Sequence, residues 1–404
     1  MRKTAILDRL QGTGGDKWEL YLKARELVAE GRDIIEVTIG EPDVPTPAEL
    51  IDAASAAMHQ GRTNYADGRG ELGLREALAS HYTKTRGRSF SVQDILCFPG
   101  TQTSLFSVLM GVAEAGDEVL VGDPMYATYE GIIRASGAKV VPVPLRSENG
   151  FRLSVDDLRQ HVNENTTAIL LTTPHNPTGA ILNEADVAEI GAFAKEHDLW
   201  IVSDEVYDQL VFDGNTFYSP LSNPDLSDRV IAVSSISKSH AAPGFRSGWC
   251  VGPSDFIERL LPFSETMLFG NQPFIADMTA QAIRDGSSVA KGMRERFSAR
   301  AAMLVDRLSK ETNLKAIMPQ AGMFAMVDVS STGLSGRGYA LDLLEKYKVA
   351  VMPGSSFGTT VENWVRVALT IDDEPFEEAC NRIIEHSKTF EETRLTCFPL
   401  NRTI

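Results

Sequence analysis

The sequence predicts an α/β fold, with a large domain on a mostly parallel sheet between helices and a smaller α+β domain beside it. Three observations predict it. From about residue 94 to 252, short apolar runs alternate with amphipathic stretches, as strands joined by crossover helices do. The flanks read instead as helices with only a few strands. At 404 residues, the chain is also longer than a single hydrophobic core usually supports.

Taken in order, residues 16–31 form a helix with Trp18, Tyr21, Leu22 and Val28 near one stripe, stopped at Gly31. The strands of the large domain are Glu118–Val121, Lys139–Val143, Ala168–Thr172, Trp200–Ser203, Val230–Val233 and Gly248–Val251. Amphipathic helices Gln102–Ala115, Ala185–His197 and Asp255–Leu268 lie between or after them. Beyond residue 285 come a charged helix (Glu295–Lys310), the apolar run Met323–Val329 and a helix at Tyr339–Lys346. Strands Val349–Met352 and Trp364–Leu369 and helix Pro375–Lys388 complete the chain. Gly40–Pro47, Pro174–Gly179 and Ala241–Gly244 are turns. The expected division is 46–284 for the large domain, with 1–45 and 285–404 forming the smaller one.

Composition narrows the function. A formal net charge of −16 argues against nucleic acid or an anionic membrane as the main partner. No apolar run reaches the roughly 18 residues that span a bilayer. The start, Met1–Asp8, is basic but lacks the apolar core of a secretory signal. Cys97, Cys250, Cys380 and Cys397 have no CxxC spacing and read as reduced thiols, not as a disulfide framework or metal site. The expectation is a cytoplasmic protein without a metal.

Chemistry concentrates in Ser235-Ile-Ser-Lys238-Ser-His-Ala-Ala-Pro-Gly-Phe-Arg246. A lysine forms a Schiff base with an aldehyde, and a neighbouring serine and arginine bind an anion. Pyridoxal 5'-phosphate (PLP) is both an aldehyde and a phosphate ester, so this one segment suits both its ends. A lone lysine in a loop is ordinarily surface, so its company decides. Asp204 ends an apolar run and suits either a turn or a salt bridge to a pyridinium nitrogen. Tyr207 either packs or donates to the ring oxygen; Glu205 between them has no assigned role. Asn176, between two prolines and before Gly179, is a rigid turn whose amide also suits that oxygen. Gly100-Thr101-Gln102 opens a helix and either simply enters it or cradles a phosphate on free N–H groups. Tyr126, past a strand end, is core or a ring-stacking residue. Arg366, amid apolar neighbours, either faces outward or clamps a carboxylate.

In this order the segments resemble the fold type I PLP enzymes, specifically the class I/II aminotransferases, from about Trp18 to Arg382. The resemblance implies the PLP-dependent transferase fold type I with a seven-stranded type of sheet. It implies Lys238 as Schiff-base lysine and proton shuttle, Asp204 on the pyridine nitrogen, and Asn176 and Tyr207 on the ring oxygen. Gly100, Thr101, Gln102, Ser235 and Arg246 would hold the phosphate under a stacked Tyr126. Arg366 would clamp the substrate α-carboxylate near Gly40 and Asn176, with Trp18 also on the substrate side. Tyr65 resembles the tyrosine that reaches the neighbouring subunit's phosphate, which implies a homodimer. Many aspartate-using relatives carry a lysine where this chain has Thr101, a departure that counts against aspartate. Pro124–Glu130, Val140–Arg152 and Ser237–His240 are similar to arginine–pyruvate transaminases. The implied reaction moves an amino group from an L-amino acid to a 2-oxo acid, pyruvate or 2-oxoglutarate. A PLP-dependent C–S β-lyase shares these cofactor contacts and stays open, as does, more remotely, a PLP-sensing regulatory module.

Overall fold

The computed structural model describes residues 3–13 and 15–397, and their side chains except those of 15, 16 and 391–397. Met1, Arg2 and the Cys397 thiol, named above, lie outside the described residues. The strands are β1 (Ile35–Glu36), β2 (Ile95–Phe98), β3 (Glu118–Asp123), β4 (Lys139–Pro144), β5 (Thr166–Thr172) and β6 (Trp200–Asp204). They continue with β7 (Val230–Ser235), β8 (Gly248–Val251), β9 (Lys315–Ile317), β10 (Phe324–Asp328), β11 (Val349–Ala350), β12 (Met352–Pro353) and β13 (Trp364–Ala368).

Seven of them form one sheet in the order β2-β8-β7-β6-β5-β3-β4. Its members from β4 to β7 run parallel, and β8 is antiparallel to both neighbours. Successive side chains leave a strand on opposite faces. Thus Ile169, Leu171, Ile201 and Ala232 enter one core, and Leu170, Val202, Ile231 and Val233 the other. Both faces are buried, which is why these strands read as continuous apolar runs. Each fully buried Leu, Ile or Val among them contributes about 1.5–3 kcal/mol. The first core is closed by helices Ala48–His59, Leu72–Arg86 and Pro273–Asp285. The second is closed by Thr101–Val112, Tyr129–Ser136 and Ser254–Met267. The sequence reading missed the first three helices and edge strand β2. Alanine-rich stretches such as Ala48–His59 offer little contrast between faces.

A second body packs β12-β13-β10-β9 as an antiparallel sheet, with β1 pairing parallel to β11. Its core joins Leu20 and Ala24 to Phe297, Leu304, Val349 and Ile383. The expected stripe on the N-terminal helix is thereby corrected: Leu20 and Ala24 are buried, whereas Leu22 is 50 % and Val28 37 % exposed. A 3-10 turn over Gly15–Trp18 precedes the helix at Glu19 and shifts its phase. Among the described residues, no helix is long and apolar enough to cross a membrane.

Candidate active site

Parallel strands end in residues with free backbone edges, and in open α/β sheets ligands gather there. The ends of β5, β6 and β7 open into a cavity of about 220 Å³. Of the residues anticipated from sequence, Trp18, Gly40, Thr101, Gln102, Tyr126, Asn176, Asp204, Tyr207, Ser235, Lys238, Arg246 and Arg366 line it. Gly100 stands directly behind Thr101 as the cap residue of its helix. Tyr65 is not brought in: it is 92 % exposed and meets only Phe269 edge-on.

Lys238 follows β7 and donates from Nζ to the Gly40 carbonyl at 2.6 Å. Burial penalises its charge and brings its pKa down to about 8. A far larger fraction of the amine is therefore neutral near physiological pH than in an ordinary lysine, and only the neutral amine is a nucleophile or base. Asp204, the last residue of β6, is buried, and that raises its carboxyl to about 6. The Tyr129 hydroxyl donates to its Oδ2 at 2.7 Å and the Val206 amide to its Oδ1 at 3.2 Å. Thr172, ending β5, donates in turn to Tyr129 at 2.8 Å. Sequence reasoning missed Tyr129. The signal was weak, an aromatic within the Pro124–Glu130 run one helical turn beyond Tyr126.

On one side lies an anion cradle. Helix Thr101–Val112 starts after Gly100, whose φ of +87° suits glycine, and no side chain caps its free N–H groups. A Cβ at Gly100 would run into the Arg246 guanidinium. A Cβ at Gly248 would lie 2.5 Å from the Gly100 carbonyl carbon. The two glycines therefore let strand, turn and arginine close together. The Thr101 hydroxyl is buried without a partner. Arg246 donates from Nη1 to the Pro243 carbonyl at 2.8 Å, and Ser235 accepts the Ser237 amide at 3.2 Å. An uncapped helix end, an orphaned hydroxyl and an arginine have the charge and shape for a phosphate. The amine of Lys238 and the carboxyl of Asp204 stand in the same cavity. The donor set thus fits PLP.

On the opposite side, Arg366 sits on β13 across from Met326 and Met352 and is 2 % exposed. Its guanidinium lies between the rings of Phe324 and Phe357, 3.8 and 4.3 Å away. Nη1 donates to Asn176 Oδ1 at 3.0 Å and Nη2 to the Thr38 carbonyl at 2.6 Å, while Nε has no partner. Asn176 in turn donates to the Tyr207 hydroxyl at 3.4 Å. Burial lowers the Arg366 pKa to about 10, and among the described residues no carboxylate pairs with it. A buried cation without a counter-ion is costly, so this one awaits an anion. Gly40 is small because the Phe324 ring lies where its side chain would be. Phe324, Phe357, Ile39, Thr172 and Ser237 were not anticipated. Their places depend on contacts between distant segments.

Comparison with known proteins agrees with this chemistry. Residues 32–383 match the family model described as Aminotransferase class I and II. The arginine–pyruvate transaminase of Pseudomonas aeruginosa is 38 % identical over 95 % of this chain and 97 % of its own. An aromatic-amino-acid aminotransferase of Thermococcus litoralis is 35 % identical over 97 % of this chain and 100 % of its own. A solved structure of a Thermus thermophilus aspartate aminotransferase double mutant superposes with a TM-score of 0.89, at 29 % identity, over 96 % of this chain and 100 % of its own.

Proposed function

The chain belongs to the class I and II aminotransferases, and from that premise we propose which side chains carry the reaction and which substrates they take. It is a PLP-dependent aminotransferase that moves the amino group of an amino acid to a 2-oxo acid. No observation favours the β-lyase reading. The observation that carries the assignment of roles is the buried, counter-ion-free Arg366 facing the same cavity as Lys238 and Asp204.

When bound, the cofactor supplies an aldehyde for Lys238 and a ring that accepts the electron pair left at the substrate's α-carbon. Asp204, oriented by Tyr129 and the Val206 amide, keeps the ring nitrogen protonated by offering it a buried negative partner. Asn176 and Tyr207 would hold the ring oxygen, and Tyr126 would cover the ring face. Gly100, Thr101, Gln102, Ser235 and Arg246 would hold the phosphate. Arg366 receives the substrate α-carboxylate through its fork, beside Asn176 and Gly40, and this aims the α-C–H at Lys238. Lys238 Nζ would take the α-proton and afterwards give it back, acting as base and then acid.

The likeness to the Pseudomonas enzyme points to L-arginine as donor and pyruvate as acceptor. Thr101 in place of a lysine leaves that position without a cation for a second carboxylate, which counts against aspartate. Trp18 and Ile39 give the open side of the cavity an apolar wall that suits an aliphatic chain. Residues 46–284 would serve as the cofactor domain, and the described residues of 1–45 and 285–397 as the smaller one. The exposed Tyr65 and Phe269, 92 % and 61 % accessible, suit a homodimer in which Tyr65 reaches the neighbour's phosphate. A cytoplasmic location fits reduced cysteines. Spectral titration of the PLP form with L-arginine, L-aspartate and L-phenylalanine tests the substrate. Arginine should convert the cofactor to its aminated form at the lowest concentration, and conversion by none of the three would overturn the donor assignment.

A further inference from the structure

Past the end of β6, residues that line the cavity are interspersed with residues that do not. Asp204 is followed by Glu205, Tyr207 by Asp208, and both followers turn away into one buried polar layer. Its centre is Arg86, the last residue of helix Leu72–Arg86, which ends at Gly87 with φ of +71°. Arg86 Nη2 donates to Glu205 Oε2 at 3.2 Å and to Asp208 Oδ2 at 2.7 Å. The Tyr82 and Phe217 rings hold the guanidinium at 5.4 and 5.2 Å. Glu205 is wholly buried, and its Oε1 accepts from Ser219 at 2.6 Å and from Ser203 at 3.1 Å. No step of the reaction needs either acid.

A layer that costs this much desolvation and touches no substrate must act on what it anchors. Asp204 directly precedes the first acid and Tyr207 the second, and both are assigned to the cofactor ring. We propose that Arg86 is a positioning residue, clamping Glu205 and Asp208 from below so that Asp204 and Tyr207 meet the cofactor ring. The proposal rests on the PLP reading above. Nothing in this layer touches Thr101, Gln102 or Arg246, so the clamp serves the ring end of the site and not the phosphate end.

That asymmetry is the test. The apo forms of wild type, Arg86→Gln and Glu205→Gln are titrated with PLP, and inorganic phosphate is titrated as a competitor of PLP uptake, with circular dichroism reporting the fold. Wild type should gain a visible absorption band that Lys238→Ala lacks; without it the PLP reading itself fails. The expected result is a PLP dissociation constant raised roughly tenfold in Arg86→Gln, with the phosphate inhibition constant unchanged. Should Arg86→Gln not fold, Glu205→Gln decides, because it keeps its size and its Oε1 still accepts from both serines, while the amide that replaces Oε2 no longer accepts from Arg86. A PLP constant within twofold of wild type in a folded variant overturns the clamp. Equal losses of PLP and phosphate affinity overturn it too, since they mark general loosening.

Discussion

Two buried arginines divide this molecule's polar interior into regions of opposite design. Arg86 is paired with two carboxylates, Glu205 and Asp208. Arg366, equally buried, has two aromatic faces, an amide and a carbonyl, and no anion. A cation already matched by carboxylates serves to hold the chain, although its Nε, like that of Arg366, has no partner. A layer left short of counter-charges is built to receive them from a ligand. Lys238 and Asp204 belong to the second kind: burial pushes each toward its neutral form, to about 8 and about 6.

Substitutions should therefore separate activity from stability according to region. The largest effect is expected at Lys238→Ala, with transamination down at least about a thousandfold and the apo melting temperature unchanged. Near-normal turnover would show that another group is the base. Arg86→Met should do the reverse and destabilise the fold by about 3–5 kcal/mol in urea titration, because the buried Glu205 and the half-buried Asp208 lose their partner. Arg366→Met should raise the donor KM roughly 30- to 100-fold while costing little stability, since it removes a charge that had no counter-ion. If Arg366→Met proved as destabilising as Arg86→Met, the contrast between the regions would fall. Tyr129→Phe removes one hydrogen bond to Asp204 and should lower kcat about tenfold.

The pH dependence sharpens the same contrast. A lysine ordinarily titrates near 10.5, and burial brings Lys238 to about 8. Only the neutral amine attacks an aldehyde, so the reactive fraction grows as pH rises toward that value. The rate at which the apo protein captures PLP should rise roughly tenfold per pH unit below about 8 and then level off, read by stopped-flow absorbance. A pH-independent rate from 6 to 8 would place the Lys238 titration elsewhere.

Much of the site was legible because its parts are local. Asp204, Ser235 and Lys238 each end or follow an apolar strand, and a strand end already says which edge of the sheet a residue occupies. The turn proposed for the phosphate was readable for the same reason, a glycine followed directly by a helix start. Tyr129 was not, since its role lies in a bond to Asp204 across 75 positions of chain. Glu205 had no readable role either, because its partner Arg86 stands 119 positions earlier, on a helix the sequence reading missed.

The sequence by itself determined the α/β alternation, the cofactor chemistry and the order of the motifs that carry it. These follow from period, from turn residues and from what a lysine, an aspartate and an arginine can do. Only the tertiary structure decided which charges are paired. Arg366 and Arg86 look alike in a string of letters, and packing alone gave one a pair of carboxylates and left the other facing an open cavity. Charge pairing in a low-dielectric interior depends on distances of a few ångströms between segments far apart in the chain, which no local pattern encodes.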